Sequence, residues 1–295
     1  MTLSNDAWDS PASPYQATGS LRGRTLLISG GSRGIGLAIA ARAARDGANI
    51  VLMAKTGEPH PKLAGTVYTA AEQLVAAGGQ ALPLVGDVRN DDDVARAVSA
   101  AVDRFGGIDV VINNASAIDL SRTDAVDMKK YDLMQDINVR GTFLLSKLAL
   151  PALRASGAGQ ILTLSPPLNL DPRWAGKHLA YTMAKYGMSL TTLGLAEELK
   201  ADGIRVNSLW PCTLIDTAAI RNMPHGEQMV QAARGPQIMA DAAHAVLTGA
   251  NLAAGGAASG NFYTDEEVLA AAGVMDFRPY SLAAAEDRLV PDIFL

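Results

Sequence analysis

The feature that most constrains the fold of this chain is a repeated alternation along the sequence. Short apolar runs rich in β-branched residues alternate with longer Ala-rich stretches of helical period, from about residue 22 to about residue 263. The runs predict strands at 25–29, 50–53, 81–85, 109–113, 160–165, 204–209 and 261–263. The stretches predict helices at 34–46, 67–77, 91–104, 128–150, 178–201 and 237–248. Apolar strands that alternate with helices indicate a mainly parallel sheet of about seven strands, covered on both faces.

The alternation also sets the domain boundaries. We predict a single doubly wound Rossmann-type α/β domain over residues 21–263, and a C-terminal extension at 264–295 packed on the same domain. Residues 1–20 contain no Lys, no Arg and no apolar core, so we expect a flexible N-terminal arm and not a secretory signal. No run reaches the roughly 18 apolar residues of a membrane span.

Composition excludes several classes of function. The chain has 25 Lys and Arg against 30 Asp and Glu and no basic run, so we expect no nucleic-acid partner. The four His lie at 60, 178, 225 and 244, without the spacing of metal ligands, so we expect no metal. The single cysteine, Cys212, cannot form an intrachain disulfide and fits a reducing compartment, and we therefore expect a cytoplasmic protein.

A glycine-rich turn follows the first predicted strand and leads into an Ala-rich helix. Its glycines allow the backbone to turn tightly and to approach a pyrophosphate, whose charge is stabilised by the free N–H groups of the helix N-terminus. Alone, such a turn is equally explained by a strand-to-helix connection that needs positive φ. Its position after the first strand of the series favours a dinucleotide site. The candidate residues are Gly30, Ser32, Arg33, Gly34, Ile35 and Gly36.

The end of the second predicted strand indicates which dinucleotide is bound. A carboxylate there would bind the ribose 2′-hydroxyl of NAD(H), whereas a cation would accommodate the 2′-phosphate of NADP(H). The chain has Ala54 followed by Lys55, and Arg33 lies in the glycine turn. We predict NADP(H) in preference to NAD(H). The alternative is that Lys55 and Arg33 are ordinary solvated surface charges.

Tyr181 and Lys185 are four residues apart in a predicted helix, and they therefore share one face. A cation near a tyrosine stabilises the phenolate and lowers its pKa from about 10 toward the range of a general acid/base. This spacing also occurs on solvated helix faces. Here it follows the fifth predicted strand, on the side of the sheet where the dinucleotide is expected.

Six segments in this order resemble the classical short-chain dehydrogenase/reductase family. They are SGGSRGIG at 29–36, GDV at 86–88, NNAS at 113–116, DINVRGTF at 136–143, YTMAK at 181–185 and RVNSLWP at 205–211. Longer stretches, such as residues 164–190, look like the hydroxysteroid dehydrogenase-like protein 2 group of that family. Only the dehydrogenase part of that group is expected in residues 1–295.

The resemblance implies an NAD(P)-dependent oxidoreductase that transfers a hydride between the nicotinamide and a lipophilic alcohol or carbonyl compound. Tyr181 would exchange a proton with the substrate oxygen, Lys185 would hold the nicotinamide ribose, and Asn138 would anchor a water relay to Lys185. The alternative for Asn138 is a helical asparagine that satisfies local backbone groups. The further cofactor positions that the resemblance implies are Asp87, Val88, Asn114 and Lys185.

One residue of the family pattern is missing. The catalytic serine at the end of the fifth strand is replaced by Pro166, and Leu168 stands thirteen residues before Tyr181. Ser165 and Asn169 are candidate substitutes, since loss of an oxyanion-type donor can cost about 10²–10³ in rate. The alternative function is therefore a catalytically impaired NADP(H)-binding protein with a sensing or scaffold role. A third candidate function is non-redox chemistry on an acyl-CoA.

The segment 211–234 indicates the kind of substrate. Its apolar residues, together with Trp174, are predicted to form an adaptable lid over a fatty, terpenoid or steroid-like compound; the alternative is a helix that packs them into the core. These residues are Leu214, Ile215, Ile220, Met223 and Met229. The helices at 128–150 and 178–201 correspond to those that pair across a two-fold axis in the family, which implies a homodimer or homotetramer.

Overall fold

Seven parallel strands form one sheet in the order β3-β2-β1-β4-β5-β6-β7. The computed structural model describes residues 13–59, 64–252, 258–282 and 286–295. The strands are β1 Thr25–Ser29, β2 Asn49–Ala54, β3 Gln80–Val85, β4 Val110–Asn113, β5 Gln160–Thr163, β6 Arg205–Trp210 and β7 Phe262–Thr264. The order reverses between β1 and β4, which is where a doubly wound sheet opens a crevice for ligands. The predicted fold class is confirmed.

Helices cover both faces of this sheet. They are α1 Gly34–Arg45, α2 Val67–Ala76, α3 Asp91–Phe105, α4 Met128–Met134, α5 Gly141–Ser156, α6 Pro172–Lys177, α7 Leu179–Glu198, α8 Ala218–Arg221, α9 Gly226–Val230, α10 Gln237–Thr248 and α11 Asp265–Ala271. The short helices α6, α8, α9 and α11 lie in segments for which the sequence predicted no helix. In the parts of the chain that the structure describes, no helix is long and apolar enough to cross a membrane.

The core has two parts because successive strand residues point to opposite faces of the sheet. On one face Leu26 and Ile28 of β1 belong to a buried cluster with residues of α1 and α10. On the other face Leu27 belongs to a second cluster with residues of α3 and α5. Every residue of β1 is buried, as expected for a central parallel strand.

The helix predicted at 128–150 is interrupted. A π-helical segment at Gln135–Arg140 joins α4 to α5, and it contains Asn138. Such π segments occur frequently at functional sites. The helix also continues to Ser156, past Pro151. Pro151 is exposed, so water can reach the carbonyl that loses its hydrogen-bond partner to the proline ring.

Residues 13–20 differ from the flexible arm that the sequence predicted. Tyr15 is buried, and its hydroxyl lies 3.0 Å from Nδ1 of His244 on α10. Ser13 donates a hydrogen bond of 2.6 Å to Asp241 of the same helix. An aromatic ring that buries its surface holds this segment on the domain. The rest of the predicted arm, residues 1–12, lies outside the described residues.

The last residues of the chain return to the carboxyl end of β6. We refer to residues 290–295 as the C-terminal strap. The Leu214 amide donates to the Val290 carbonyl at 2.9 Å, and the Asp292 amide donates to the Cys212 carbonyl at 3.0 Å. An antiparallel bridge joins Thr213 to Pro291. The strap is therefore fixed beside the segment that follows β6.

Candidate active site

A cavity of about 920 Å³ opens at the carboxyl ends of the strands. It lies at the reversal of strand order, where a doubly wound fold is expected to bind its ligand. Of the predicted site residues, those that line it are Gly30, Ser32, Arg33, Gly34, Ile35, Lys55, Asp87, Val88, Asn114, Tyr181 and Lys185. Gly36 and Asn138 are not among the lining residues. The fold thus brings the predicted dinucleotide site and the predicted catalytic pair into one cavity.

The backbone of the glycine turn can be approached closely by a ligand or by neighbouring groups. Gly30 has φ +69°, and a Cβ at Gly36 would lie 2.4 Å from Nδ2 of Asn114 and 2.8 Å from the Gly30 carbonyl oxygen. Gly36 is therefore needed for packing against Asn114 and the Gly30 carbonyl, and its contact with a cofactor stays a prediction. Helix α1 begins without a side-chain cap and without an acid in its first turn. Its first N–H groups are free to bind an anion.

Asn114 joins the end of β4 to this turn. Its Nδ2 donates to the carbonyls of Ser29 and Gly30, both at 3.0 Å. Its backbone amide donates to the Ser29 hydroxyl at 3.1 Å. The side-chain amide is therefore used to hold the glycine turn in shape.

Two cations line the cavity near the end of β2. Arg33 donates from Nε to the Ala64 carbonyl at 3.1 Å and from Nη2 to the Gly65 carbonyl at 2.6 Å. Burial lowers its pKa. Lys55 is exposed, and its Nζ lies 3.9 Å from a carboxyl oxygen of Asp87. Arg33 is thus a fixed and partly buried cation, whereas Lys55 is a solvated one.

Asp87 is held by a residue that the sequence reasoning missed. Arg89 donates from Nη2 and Nε to the two carboxyl oxygens of Asp87 at 2.6 and 3.1 Å. These hydrogen bonds lower the pKa of Asp87. The Asp87 backbone amide in turn donates to Asp93 at 2.9 Å. Asp87 is therefore an oriented, ionised group that lines the cavity beside Lys55.

Tyr181 and Lys185 are both buried on α7. Lys185 Nζ donates to the Leu164 carbonyl at 2.7 Å and lies 5.0 Å from the centre of the Trp210 ring. Burial lowers the pKa of Lys185 to about 7, against the opposing effect of the Asp292 carboxylate. Burial also raises the pKa of Tyr181, and the Asp292 carboxylate adds to this increase.

The direction for Tyr181 is opposite to the one expected from the sequence. A buried phenolate loses its hydration, and a buried lysine with a lowered pKa offers it less positive charge. Tyr181 therefore keeps its proton in the protein alone. A protonated phenol of this kind is able to donate a proton or a hydrogen bond.

Asn138 is completely buried in the π segment. Its Oδ1 accepts the Ala117 amide at 2.7 Å, and its Nδ2 donates to the Ala117 carbonyl at 3.0 Å. Its partner is in the loop after β4 and not in its own helix. Asn138 clamps that loop, and its role in a water relay stays a prediction.

Ser165 faces away from the cavity. It is fully buried, and its hydroxyl is 2.8 Å from the hydroxyl of Ser208 on β6. Pro166 has no amide hydrogen to donate, and its carbonyl accepts the Ser189 hydroxyl at 2.7 Å. Ser165 is not among the residues that line the cavity.

Asn169 also forms its hydrogen bonds with residues outside the cavity lining. Its side-chain oxygen accepts the Asp171 amide at 3.0 Å, and its carbonyl accepts the hydroxyl of Tyr186. It is likewise missing from the cavity lining. Neither substitute that the sequence suggested for the serine faces the substrate space.

Two polar groups that the sequence reasoning did not select line the catalytic end of the cavity, His178 and Asp292. Burial lowers the pKa of His178, so its ring is neutral near pH 7, and its Nε2 is buried without a partner among the described residues. Burial raises the pKa of Asp292 to about 7. Its Oδ1 accepts the Ile293 amide at 2.6 Å. No periodic pattern in the sequence marks either residue.

Phe294 fills an aromatic cluster behind this end of the cavity. Its ring, fully buried, lies 5.2–6.2 Å from four other rings, centre to centre. These rings belong to Trp174, Tyr181, Tyr186 and Trp210. Trp210 also donates from Nε1 to the Ile293 carbonyl at 2.9 Å. Phe294 has φ +81°, a left-handed conformation that non-glycine residues rarely adopt, so burial of the ring must offset backbone strain.

The residues predicted to form an apolar lid line the cavity, with one correction. All five predicted residues of segment 211–234 line the cavity: Leu214, Ile215, Ile220, Met223 and Met229. The last three lie in or beside the short helices α8 and α9. Trp174 does not line the cavity, because its ring packs on Phe294. Trp174 therefore packs behind the residues that line the catalytic end of the cavity.

Cys212 and the described histidines do not form a second active site or a metal site. Burial raises the pKa of Cys212 to about 12, with the Asp265 carboxylate adding to the effect, so it is a poor nucleophile. Within the described ranges, no three His, Cys, Asp or Glu side chains are grouped so that they could hold a metal. His60 lies outside those ranges.

Comparison with known proteins agrees with this geometry. Residues 24–228 match the model of the short chain dehydrogenase family. Hydroxysteroid dehydrogenase-like protein 2 of Xenopus laevis is 54% identical over 278 residues, which cover 94% of this chain and 65% of that protein. The Homo sapiens protein of the same name is 49% identical, with the same coverage. The chain thus spans about 65% of the length of these curated relatives.

A solved structure agrees as well. A short chain dehydrogenase from Mycobacterium thermoresistibile superposes with a TM-score of 0.85 at 49% sequence identity, over 94% of this chain and 96% of that one. The family match covers the glycine turn, the end of β4 and the Tyr181–Lys185 pair. This chain belongs to the short-chain dehydrogenase family, whose members are NAD(P)-dependent oxidoreductases.

Proposed function

We propose that this protein is an NADP(H)-dependent oxidoreductase that transfers a hydride between the nicotinamide and a lipophilic alcohol or carbonyl compound. The observation that carries the proposal is the single cavity shared by the glycine turn, Tyr181, Lys185 and the apolar lid. The bound nicotinamide supplies or accepts the hydride. The residues of the chain bind the dinucleotide, exclude water and manage the proton.

The cavity fits a dinucleotide. A pyrophosphate would be held by the uncapped N-terminus of α1, because no side chain occupies those N–H groups. A Cβ at Gly30 or Gly36 would approach Nδ2 of Asn114 to 2.9 Å or less, so only glycine leaves this cradle open. Lys185 would hold the nicotinamide ribose at the other end.

The preference for NADP(H) rests on charge. Ala54 ends β2 where a carboxylate would select the free ribose hydroxyl, and Lys55 follows it. Arg33 is kept at the same end of the cavity by the carbonyls of residues 64 and 65. Two cations, together with the lack of an acid at the end of β2 itself, favour a 2′-phosphate.

Tyr181 is the proposed general acid/base. Its raised pKa keeps the phenol protonated, and a protonated phenol is the form needed to donate to a carbonyl oxygen during reduction. Lys185 is fixed 2.7 Å from the Leu164 carbonyl, so its ammonium has a set position one helical turn from Tyr181. In the oxidation direction the same oxygen would have to be the phenolate, which takes up the proton of the alcohol.

The substrate is proposed to be fatty, terpenoid or steroid-like. Apolar side chains from two segments line the cavity: Ile118, Leu120, Ile220, Met223 and Met229. Methionines suit irregular apolar ligands because their side chains adapt. The names of the relatives, which refer to hydroxysteroids, are consistent with this substrate class.

A homodimer or homotetramer is proposed as the assembly. Helix α7 presents an exposed apolar stripe at spacings of four, seven and three residues, formed by Leu179, Met183, Leu190 and Leu193. Phe143 of α5 is also exposed. Such faces are typical of interaction sites. The cytoplasmic location expected from the sequence stays a prediction.

The competing function is an NADP(H)-binding protein that no longer turns over. It is favoured by one observation, the orientation of Ser165 away from the cavity. Fluorescence titration with NADPH and NADH, followed by oxidation of the bound nucleotide against aliphatic, terpenoid and steroid carbonyls, separates the two functions. We expect turnover in the wild type and its loss in Tyr181→Phe. Tight NADPH binding without any turnover would establish the competing function.

A further inference from the structure

The catalytic end of the cavity contains a buried polar atom without a partner. His178 lines the cavity together with Tyr181 and Lys185. Its ring nitrogen Nε2 is buried and has no hydrogen-bond partner among the described residues. Buried polar groups in proteins are almost always paired, and an unpaired one raises the free energy of the folded state. Nε2 therefore offers a hydrogen bond to a molecule bound in the cavity.

The position of His178 is set by the junction of two helices. It is the one residue between α6, which ends at Lys177, and α7, which begins at Leu179. Its carbonyl accepts the Thr182 amide at 2.9 Å and lies 3.1 Å from the Thr182 hydroxyl. The same hydroxyl lies 3.2 Å from the Trp174 carbonyl, which ties α6 to the junction. The backbone that carries the imidazole is therefore fixed.

His178 also lies beside the proposed proton donor. Tyr181 follows it by three residues, and side chains at this spacing on a helix are neighbours, with Cβ atoms about 5–6 Å apart. A substrate group that binds the imidazole must therefore be attached close to the carbon that reacts at the Tyr181 phenol.

Much of the surrounding surface is apolar. The lining includes Ile118 and Leu120 from the segment after β4, and Met223 and Met229 from the lid. An apolar wall cannot strongly reject a compound that merely gains or loses a hydroxyl, whereas a site built to bind that hydroxyl rejects the analogue without it. A hydrogen bond to His178 would therefore decide between lipophilic compounds of similar shape.

The imidazole also indicates the chemistry of its partner. A hydroxyl oxygen can both donate and accept a hydrogen bond, so it can bind Nε2 whether that nitrogen carries a proton or a lone pair. We propose that His178 is a specificity-determining residue whose Nε2 binds a hydroxyl group of the substrate beside the reacting carbon. The substrate is then a hydroxylated lipophilic carbonyl compound or the corresponding diol. This inference rests on the proposed function, because it narrows the substrate class of the same site.

The test uses two pairs of ketones in which a methyl group replaces a hydroxyl. The first pair is 3-hydroxy-3-methyldecan-2-one and 3,3-dimethyldecan-2-one, and the second is 4-hydroxy-4-methyldecan-2-one and 4,4-dimethyldecan-2-one. The tertiary hydroxyl cannot be oxidised. Each ketone is titrated calorimetrically into the full chain with saturating NADP⁺, which holds no hydride to donate, so binding is measured without turnover.

We expect the hydroxyl member of at least one pair to bind the wild type about tenfold more tightly than its methyl partner, as one net hydrogen bond would give. In His178→Leu the two members should bind equally, through a loss for the hydroxyl compound alone. His178→Gln keeps a polar group and should retain part of the preference. Lys177→Leu is the matched control, because Lys177 is exposed and does not line the cavity. NADPH affinity should be unchanged in all three variants.

Equal affinities within both pairs for the wild type would overturn the proposal, since Nε2 would then be satisfied without the substrate. An equal loss for both members of a pair in His178→Leu would show a packing role, and a fall in NADPH affinity would place the ring against the cofactor; either result overturns it. If no ketone binds the NADP⁺ complex, the proposed function itself is contradicted.

A readout on the wild type does not depend on the folding of any variant. In protein labelled with ¹⁵N-histidine, the Nε2 resonance of His178 should shift when the better hydroxyketone is added and stay in place with its methyl partner. His178→Gln identifies the resonance by its absence. The same shift with both ketones would contradict a contact with the hydroxyl.

Discussion

The ring of Phe294 stacks on that of Tyr181, with centroids 6.2 Å apart and planes inclined by 24°. The side chain that is proposed to move the proton is therefore held by the C-terminal strap and not only by its own helix. Helix α7 positions the phenol of Tyr181 relative to the sheet, and the ring of Phe294 packs against one side of the Tyr181 ring.

Replacement of Phe294 tests this support. Phe294→Ala removes a fully buried ring from contact with four others, so the free energy of unfolding should fall by about 3–5 kcal/mol. Where the variant stays folded, kcat should fall more than NADPH affinity, because Tyr181 loses its neighbour. Urea unfolding and steady-state kinetics measure both effects. Met275→Ala is the control, since Met275 is 91% exposed and should change neither quantity.

Gly36→Ala tests the glycine cradle. The added Cβ would lie 2.4 Å from Nδ2 of Asn114, so Asn114 must release its hydrogen bonds to the glycine turn. We expect NADPH affinity to fall at least about tenfold, or about 1.4 kcal/mol. Gly107→Ala is the matched control, because nothing lies within 4 Å of the added atom. Equal affinities for the two variants would show that the turn tolerates a side chain.

Lys55→Ala tests the choice of cofactor. A hydrogen bond to a charged group contributes about 1.5–3 kcal/mol, less for an exposed side chain, so NADPH affinity should fall by about tenfold. NADH affinity should not change, because NADH has no 2′-phosphate. Fluorescence titration of both nucleotides measures the difference, with Lys200→Ala as an exposed control. A parallel loss for both nucleotides would argue against a phosphate contact at Lys55.

Asp265 makes stability depend on pH. Burial raises its pKa to about 6, against hydrogen bonds from the amides of Cys212 and Glu266. Between about pH 4 and pH 6 the folded protein keeps a proton that the unfolded chain has released, so the free energy of unfolding falls as pH rises. Asp265→Asn keeps the acceptor oxygen and should remove this decline. Urea midpoints at pH 4, 5, 6 and 7 test it, with exposed Asp124→Asn as the control; an unchanged slope in Asp265→Asn would refute the assignment.

Leu190→Lys tests the assembly. Leu190 is 57% exposed on the apolar stripe of α7, and a charge there would have to be buried in a helix pair. We expect the mass measured by light scattering to fall to a smaller assembly. Glu72→Lys on α2 places a lysine on an exposed position away from the stripe, with an even larger change of charge, and should leave the mass unchanged. A wild-type protein that is monomeric at all concentrations would rule out the pairing.

Much of the fold was predictable because it is encoded locally. Within about 20 residues, the hydrophobic patterns of β1 and α1 and the glycines between them specify a strand, a turn and a helix. Tyr181 and Lys185 were identifiable for the same reason, since a spacing of four places them on one helix face. Errors came where distant parts of the chain decide the structure. The helix predicted at 128–150 contains a π segment in which Asn138 pairs with Ala117, a contact that no local pattern reveals.

The polar part of the site shows the same limit. Asp292 lies more than 100 residues beyond Lys185 in a segment without helical or strand periodicity. Its elevated pKa arises from burial in the folded protein. Trp174 was expected to face the substrate, but Phe294, 120 residues away in sequence, takes its ring as a packing partner. Side chains brought together by the strap could be found only from the structure.

The position of the strap has a consequence for synthesis. A growing chain completes the glycine turn and the first strands early, since N-terminal parts emerge and fold first. The ring of Phe294, which packs on Tyr181 and Trp210, is present only after residue 294 has been synthesised. A nascent chain can therefore have a finished nucleotide cradle while its aromatic cluster still lacks the central ring. The aromatic cluster beside Tyr181 is therefore completed later in synthesis than the nucleotide cradle.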